Sequence, residues 1–268
     1  MPELPEIETI ARSLRPDLIG KSILSAEILW RRTLVTPTPI AFRKRICNQQ
    51  IEDITRRAKY LHLHLSKDHL LFHLRMSGDL LVKKCAYMPV KHDRLILTLT
   101  DDISLIFNDT RKFGRVWLIN NPRDVLGMLG PEPLDPNFTS QHLYDRLHTH
   151  HRSLKPLLLE QTFIAGLGNI YTDEALYAAG LHPLTPSDSI TTEQSERLWH
   201  GIRSILLEGI HHNGSSIDRV YRGGGFQTYF RVYGRDGIPC RICGTEIQRI
   251  IVGQRSTHFC PTCQPERR

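Results

Sequence analysis

Four of the six cysteines lie in two C-x-x-C pairs near the C-terminus, Cys240-Arg-Ile-Cys243 and Cys260-Pro-Thr-Cys263, with sixteen residues between them. Each pair lets two thiolates converge on one tetrahedral ion, and this spacing fits a four-cysteine zinc site. Two disulfides or a redox pair are the alternatives for the same residues, and a doubled pair in a chain without an export signal favours zinc. Four thiolates leave no open coordination position, so one structural Zn2+ is expected and catalysis must be sought elsewhere. Residues 245–252 and 256–259 read as a hairpin turning near Gly253-Gln254-Arg255. So short a module cannot bury a core, and metal would supply its folding energy. Cys47 and Cys85 stand alone and read as ordinary buried thiols.

The second candidate is the N-terminus, Met1-Pro2-Glu3-Leu4-Pro5-Glu6. Removal of Met1 would expose the secondary amine of Pro2. Such an amine, unprotonated, can attack a sugar C1′ and hold it as an iminium ion, an electron sink. Glu3 beside it could act as general acid or base. The same residues also suit a plain helix start, and residue types alone leave both readings open.

The chain that carries these groups has 268 residues, enough for about two domains and a real core. It is 40% hydrophobic and 24% charged, as in soluble globular proteins. No apolar run approaches the roughly 18 residues that span a bilayer. The N-terminus lacks a basic n-region, so no signal peptide is read and the expected compartment is the cytoplasm. The net charge of +7 favours a polyanionic partner. From Arg31 to Lys59 there are eight Lys/Arg against two acids, and from Arg231 to Arg268 seven Arg against three acids. Both stretches could face phosphate or simply be solvated.

The elements that must position these groups fall into three parts. Ile7, Ile10, Ala11 and Leu14 recur at helical spacing after Pro5, giving a short N-terminal helix. From about Gly20 to Ile119 the period is two: Leu61, Leu63 and Leu65, then Leu95, Leu97 and Leu99, then Ile103, Leu105 and Phe107 after the Asp101-Asp102 turn. Several short strands with turns between them predict a sandwich or barrel. The proline-rich residues 130–136 read as a linker. Beyond it one helix should end at Gly180. Another should start at the Thr191/Gln194 capping box, with Leu198, Ile202, Ile205, Leu206 and Ile210 on one face. Strands, then helices, then a cysteine module argue for an α+β class.

The motifs carry a resemblance. Pro2-Glu3-Leu4-Pro5-Glu6-Ile7-Glu8-Thr9, Arg56-Arg57-Ala58-Lys59-Tyr60-Leu61, His73-Leu74-Arg75-Met76-Ser77-Gly78 and Lys91-His92-Asp93 occur in that order. They are followed by Asn108-Asp109-Thr110-Arg111-Lys112-Phe113-Gly114, Leu129-Gly130-Pro131-Glu132-Pro133-Leu134, Gly166-Leu167-Gly168-Asn169-Ile170-Tyr171, Val232-Tyr233-Gly234-Arg235 and the four cysteines. Over essentially the whole chain this resembles the bacterial formamidopyrimidine-DNA glycosylase (8-oxoguanine DNA glycosylase) family. The resemblance implies an antiparallel β-sandwich with an N-terminal helix over 1–130, a helix–two-turn–helix domain over 131–230 and a β-hairpin zinc finger over 231–265. It implies a monomer acting on damaged double-stranded DNA, away from membranes. The reaction would be release of oxidised purines, then strand cleavage by β,δ-elimination.

By the same resemblance Pro2 is the nucleophile, Glu3 the general acid and Glu6 an assistant. Lys59 pairs with phosphate and donates a proton in β-elimination. Arg255 serves phosphate binding and δ-elimination. Met76, Arg111 and Phe113 fill the space left by an extruded nucleotide, although the spacing of Met76 and Phe113 alone suggests core packing. His92, His150 and Asn169 contact DNA, and Lys155 lies near the damaged base. His150-His151-Arg152 stands where the family often has lysines, which puts phosphate contact there in doubt. Residues 215–226 should form a mobile cover over the flipped base, shorter than in familiar members of the family. The rivals are an endonuclease VIII-like enzyme for oxidised pyrimidines and a non-catalytic zinc-ribbon DNA-binding protein. Leu4 and Phe113 favour the purine enzyme, and the ribbon reading leaves Pro2-Glu3 and Lys59 unexplained.

Overall fold

The computed structural model describes residues 1–84, 87–216 and 223–266. Cys85 and the centre of the expected base-covering segment lie outside these residues. Contacts divide the chain into a first unit, Met1–Met128, and a second that comprises Leu129–Ser215 and Gly225–Arg268.

The first unit opens with helix α1, Leu4–Leu18, with Pro5 in its first turn, where a missing N–H is harmless. Its apolar stripe, Ile7, Ile10, Ala11, Leu14 and Leu18, enters the main core. The strands that follow are β1 (Ile23–Ile28) and β2 (Leu34–Thr36). Helix α2 (Pro39–Ile46) precedes β3 (Ile51–Arg57), β4 (Tyr60–Leu65), β5 (His69–His73) and β6 (Gly78–Lys84). The run closes with β7 (Asp93–Leu99), β8 (Ile103–Asp109), β9 (Arg115–Ile119) and a single helical turn, α3 (Arg123–Leu126). They form a four-stranded antiparallel sheet, β1-β7-β8-β6, and a five-stranded sheet, β2-β9-β5-β4-β3. Leu61, Leu63, Leu70 and Phe72 from one sheet and Leu95, Leu97, Leu105 and Phe107 from the other share one buried cluster. The period-two reading thus holds for the core strands.

Two features depart from it. The edge strand β2 pairs with β9 in parallel. Helix α2 interrupts the strands, capped by Thr38, whose hydroxyl accepts from Ala41 N–H at 3.4 Å. Only Phe42 and Ile46 of α2 are buried, too few to imprint a helical period. Cys47, read as a buried thiol, is half-buried.

The second unit holds α4 (Ser140–His148), α5 (Leu154–Leu158), α6 (Asn169–Ala179) and α7 (Thr192–His211), then the hairpin β10 (Gln248–Val252) and β11 (Arg255–Phe259). Helix α6 is buried along nearly its whole length and ends at Gly180, whose φ of 66° is the left-handed conformation of a helix C-cap. The Thr191/Gln194 capping box is present on α7. Gly209 of α7 lets Tyr171 of α6 approach: a Cβ there would stand 2.5 Å from the Tyr171 ring. Between α5 and α6 the chain turns around Gln161. The Gln161 Nε2 donates to the carbonyls of Leu159 and Leu167 at 2.9 Å, and its Oε1 accepts from Gly166 N–H at 3.0 Å.

Candidate active site

Pro2 is buried at the head of α1, followed by Glu3, which is only 3% exposed. Glu3 occupies the N-cap with extended backbone. Its side chain accepts from the N–H of Glu6, and its own N–H donates to Glu6 Oε2 at 2.8 Å. This capping box is built from two carboxylates rather than from Ser/Thr and Glu. The Glu3-x-x-Glu6 spacing was its signal in the sequence. Glu3 is thereby fixed immediately after the residue read as nucleophile, at the N-terminus of α1.

Lys59 lies at the two-residue tip between β3 and β4, where Arg57 pairs with Tyr60. Ala58 takes a φ of 52° there, a left-handed conformation that is strained for a residue with a Cβ. Arg56 ties this hairpin to α1 through Glu8, Nε to Oε2 3.1 Å, and bonds the Ala58 carbonyl at 3.3 Å. Lys59 is buried despite its place in a turn. Nearby His73 is held near pKa 3, first by burial and then by the charges of Arg75 and Lys59. Its Nδ1 accepts the Arg75 N–H at 3.1 Å, as a neutral ring does.

Met76 and Phe113 are 41% and 47% exposed, so the core-packing reading of these two is wrong. Arg111 lies over the Phe113 ring, 5.1 Å from its centroid. One buried carboxylate, unassigned in the sequence reading, organises both loops. Asp109 accepts from Ser77 Oγ, from Arg111 N–H at 3.2 Å and from Gly114 N–H at 2.7 Å. Ser77 follows Met76, and Gly114 follows Phe113, so the apolar tips are fixed by one anchor. His92 is half-buried beside Asp93, whose carboxylate collects Tyr87 Oη at 2.9 Å and Val90 N–H and Asn108 Nδ2 at 2.8 Å.

In the second unit Arg255 is exposed. It is the first residue of β11, paired with Val252, and not part of the turn as expected; the turn is Gly253-Gln254, both with positive φ. The first strand of the hairpin is also shorter than read, beginning at Gln248. The carbonyl of Ser256, next to Arg255, accepts from Lys155 Nζ at 2.7 Å and from Asn169 Nδ2 at 2.9 Å. Lys155 is 0% exposed and pairs with Asp173 Oδ1 at 2.6 Å. Lys155, expected near the damaged base, has its ammonium engaged inside the protein, where it holds the hairpin. Asn169 commits one amide hydrogen to the same carbonyl and retains a second. His150 is half-buried, its Nδ1 3.0 Å from the Arg146 carbonyl and its ring edge-on to Phe163. Asp173 and Glu174, an acidic pair inside an apolar helix, were the overlooked sign of this scaffold. Asp173 Oδ2 accepts from His258 N–H at 3.0 Å, and Glu174 accepts from the N–H groups of Arg231, Val232 and Tyr233 at 2.8–3.0 Å. Burial pushes the Glu174 carboxyl up, against those bonds.

The four cysteine sulfurs fit a metal. All lie within 4.8 Å of one another, with separations of 3.8 Å (Cys240–Cys263), 3.4 Å (Cys243–Cys260) and 3.6 Å (Cys243–Cys263). A tetrahedron with Zn–S bonds of about 2.3 Å has edges of about 3.8 Å. Ile242 N–H and Cys263 N–H point at Cys240 and Cys260 sulfurs at 3.4 Å, and Tyr177 Oη reaches Cys240 at 3.1 Å. The donor set is that of one structural zinc.

Comparison with known proteins agrees with this geometry. Residues 1–116 match the model of the formamidopyrimidine-DNA glycosylase N-terminal domain, 129–220 its H2TH domain, and 237–265 the zinc finger found in FPG and IleRS. The formamidopyrimidine-DNA glycosylase of Chloroflexus aggregans is 47% identical over 98% of both chains. That of Latilactobacillus sakei is 40% identical over 100% of this chain and 99% of its own. Among solved structures, MutM in complex with carbocyclic 8-oxo-G containing DNA is similar with a TM-score of 0.92 and 38% identity, covering 99% of this chain and all of that one. The Lactococcus lactis Fpg complex with abasic site containing DNA has a TM-score of 0.91 and 37% identity, covering 98% of this chain and all of that one.

Proposed function

Since the chain belongs to the formamidopyrimidine-DNA glycosylase family, we propose that it is a base-excision-repair glycosylase and AP lyase, removing oxidised purines from double-stranded DNA through Pro2. The observation that carries this reading is Glu3: a carboxylate locked at a helix N-terminus directly after the proline.

In the proposed sequence the freed Pro2 nitrogen attacks C1′ of the extruded nucleotide. The glycosidic bond breaks, its electron pair leaves with the base, and the base takes up a proton. Glu3 protonates O4′ as the ring opens, leaving an iminium between Pro2 and C1′. The iminium acidifies C2′, and loss of that proton expels the 3′-phosphate. Loss of the C4′ proton then expels the 5′-phosphate. Lys59 pairs with the phosphate beside the opening sugar, and Arg255 supports the second elimination. Met76, Phe113 and Arg111 occupy the gap in the stack, Arg111 bonding the orphaned cytosine. His92, His150 and the second Asn169 amide hydrogen serve phosphate contact.

Zinc at the four cysteines contributes shape, holding the hairpin that presents Arg255. We assign the roles to domains 1–130, 131–230 and 231–265, in a monomer working in the cytoplasm at the nucleoid. Among the described residues no helix is long and apolar enough to cross a membrane.

The test compares duplexes with 8-oxoguanine opposite cytosine or with thymine glycol. Release of 8-oxoguanine with phosphates on both sides of the gap is expected. Preferred release of thymine glycol would favour the endonuclease VIII-like reading, and binding without release the zinc-ribbon reading.

A further inference from the structure

The outer face of the five-stranded sheet carries a cluster that the glycosylase chemistry does not use. His62 and His64 stand two apart on β4, so they share the face opposite Leu61, Leu63 and Leu65, which enter the core. His69 on β5 is the direct cross-strand partner of His64. His62 Nε2 lies 2.9 Å from His69 Nδ1, and the His62 and His64 rings stack with centroids 3.7 Å apart. One ring nitrogen from each of the three falls within 4.8 Å of the other two.

We propose that His62, His64 and His69 form a second metal site, separate from the four cysteines, that takes one divalent transition ion of the zinc, nickel or copper class. Three imidazoles with a position left for water are the donor set of an open zinc site, and imidazole suits nickel and copper equally. Two nitrogens about 2.05 Å from one ion are separated by about 2.9 Å at the right angles of a nickel or copper site and by about 3.3 Å at the tetrahedral angle of zinc, and the His62–His69 spacing found here is 2.9 Å. His64 needs only to close toward this pair. Thr55 Oγ1, 2.8 Å from His64 Nε2, is placed to orient that ring as an outer partner.

The rungs of β4 and β5 fix the three Cα positions, so the site is built on rigid backbone. His62 is 6% exposed at its base, while His64 and His69 are half-buried and open the way in. On binding, the ion replaces the His62–His69 hydrogen bond. The donor ring moves its proton to its other nitrogen, and no charge is lost from the pair.

The site is independent of the glycosylase reading, and its test reads metal stoichiometry. The full, tag-free chain with its cysteine zinc in place is titrated calorimetrically with Zn(II) and with Ni(II). One further equivalent per chain is expected, and the double variant His64→Gln/His69→Gln should bind it at least about tenfold more weakly while keeping the cysteine zinc. A wild-type chain that takes up no further equivalent overturns the proposal, with no variant needed. So does a further equivalent bound equally well by the folded double variant.

Discussion

Lys155 Nζ lies 2.6 Å from Asp173 Oδ1 with both side chains wholly excluded from water, and the same ammonium donates to the Ser256 carbonyl at 2.7 Å. A buried charge left unpaired is far more costly than an exposed one. Lys155→Met should therefore destabilise the protein by about 3–5 kcal/mol in denaturant unfolding, because Asp173 keeps a buried charge with no ammonium to balance it, only the His258 contacts. Lys155→Met/Asp173→Asn should recover much of that loss. A double variant no more stable than the single one would refute the ion pair as the source.

His73 leads to a pH prediction. Burial, then Arg75 and Lys59, depress its folded pKa to about 3 from an ordinary 6.5. Between those values the unfolded chain binds the proton and the folded chain does not. Stability is therefore full above about pH 6.5 and falls as pH drops toward 3, by about 1.4 kcal/mol per unit for this group. His73→Asn should flatten that part of the stability profile between pH 6.5 and 4, followed by urea unfolding. An unchanged slope would contradict the assignment.

Phe113 is half-exposed and touches little of the core, so Phe113→Ala should change stability by no more than about 0.5 kcal/mol. Its affinity for lesion duplex should fall on the order of tenfold, about 1.4 kcal/mol. Asp109→Ala should do both, losing about 1–3 kcal/mol of stability with its buried hydrogen bonds and loosening both loops. Equal lesion affinity in Phe113→Ala and wild type, by fluorescence anisotropy, would remove Phe113 from the DNA contact.

Cys260→Ser or zinc chelation should weaken lesion binding more than it unfolds the sandwich, since the core of the first unit contains none of the four cysteines. Circular dichroism and binding measured on the same sample separate the two effects. Full affinity in Cys260→Ser would count against the finger as a DNA contact.

These residues also mark what the sequence made legible. The core strands, the capping box at Thr191 and the Gly180 stop were readable because period and cap chemistry are local. The cysteine spacing was readable because four thiolates on one ion allow few arrangements. Helix α2 was not, since only two of its residues face the core. The burial of Lys155 was not, since its partners Asp173 and Ser256 meet it only through tertiary packing. Asp109 stood within a motif, but its role as anchor of two loops depends on Ser77 arriving from the turn between β5 and β6. The exposure of Met76 and Phe113 ran against residue type, because apolar residues at loop tips look like core residues until the fold places them.

The most direct test is borohydride trapping on a duplex with 8-oxoguanine opposite cytosine, using the chain with Met1 removed and a variant whose non-cleavable N-terminal extension keeps Pro2 in a peptide bond. A covalent protein–DNA adduct at Pro2 in the first and none in the second is the expected result. An adduct of equal yield in the extended variant would contradict Pro2 as the nucleophile.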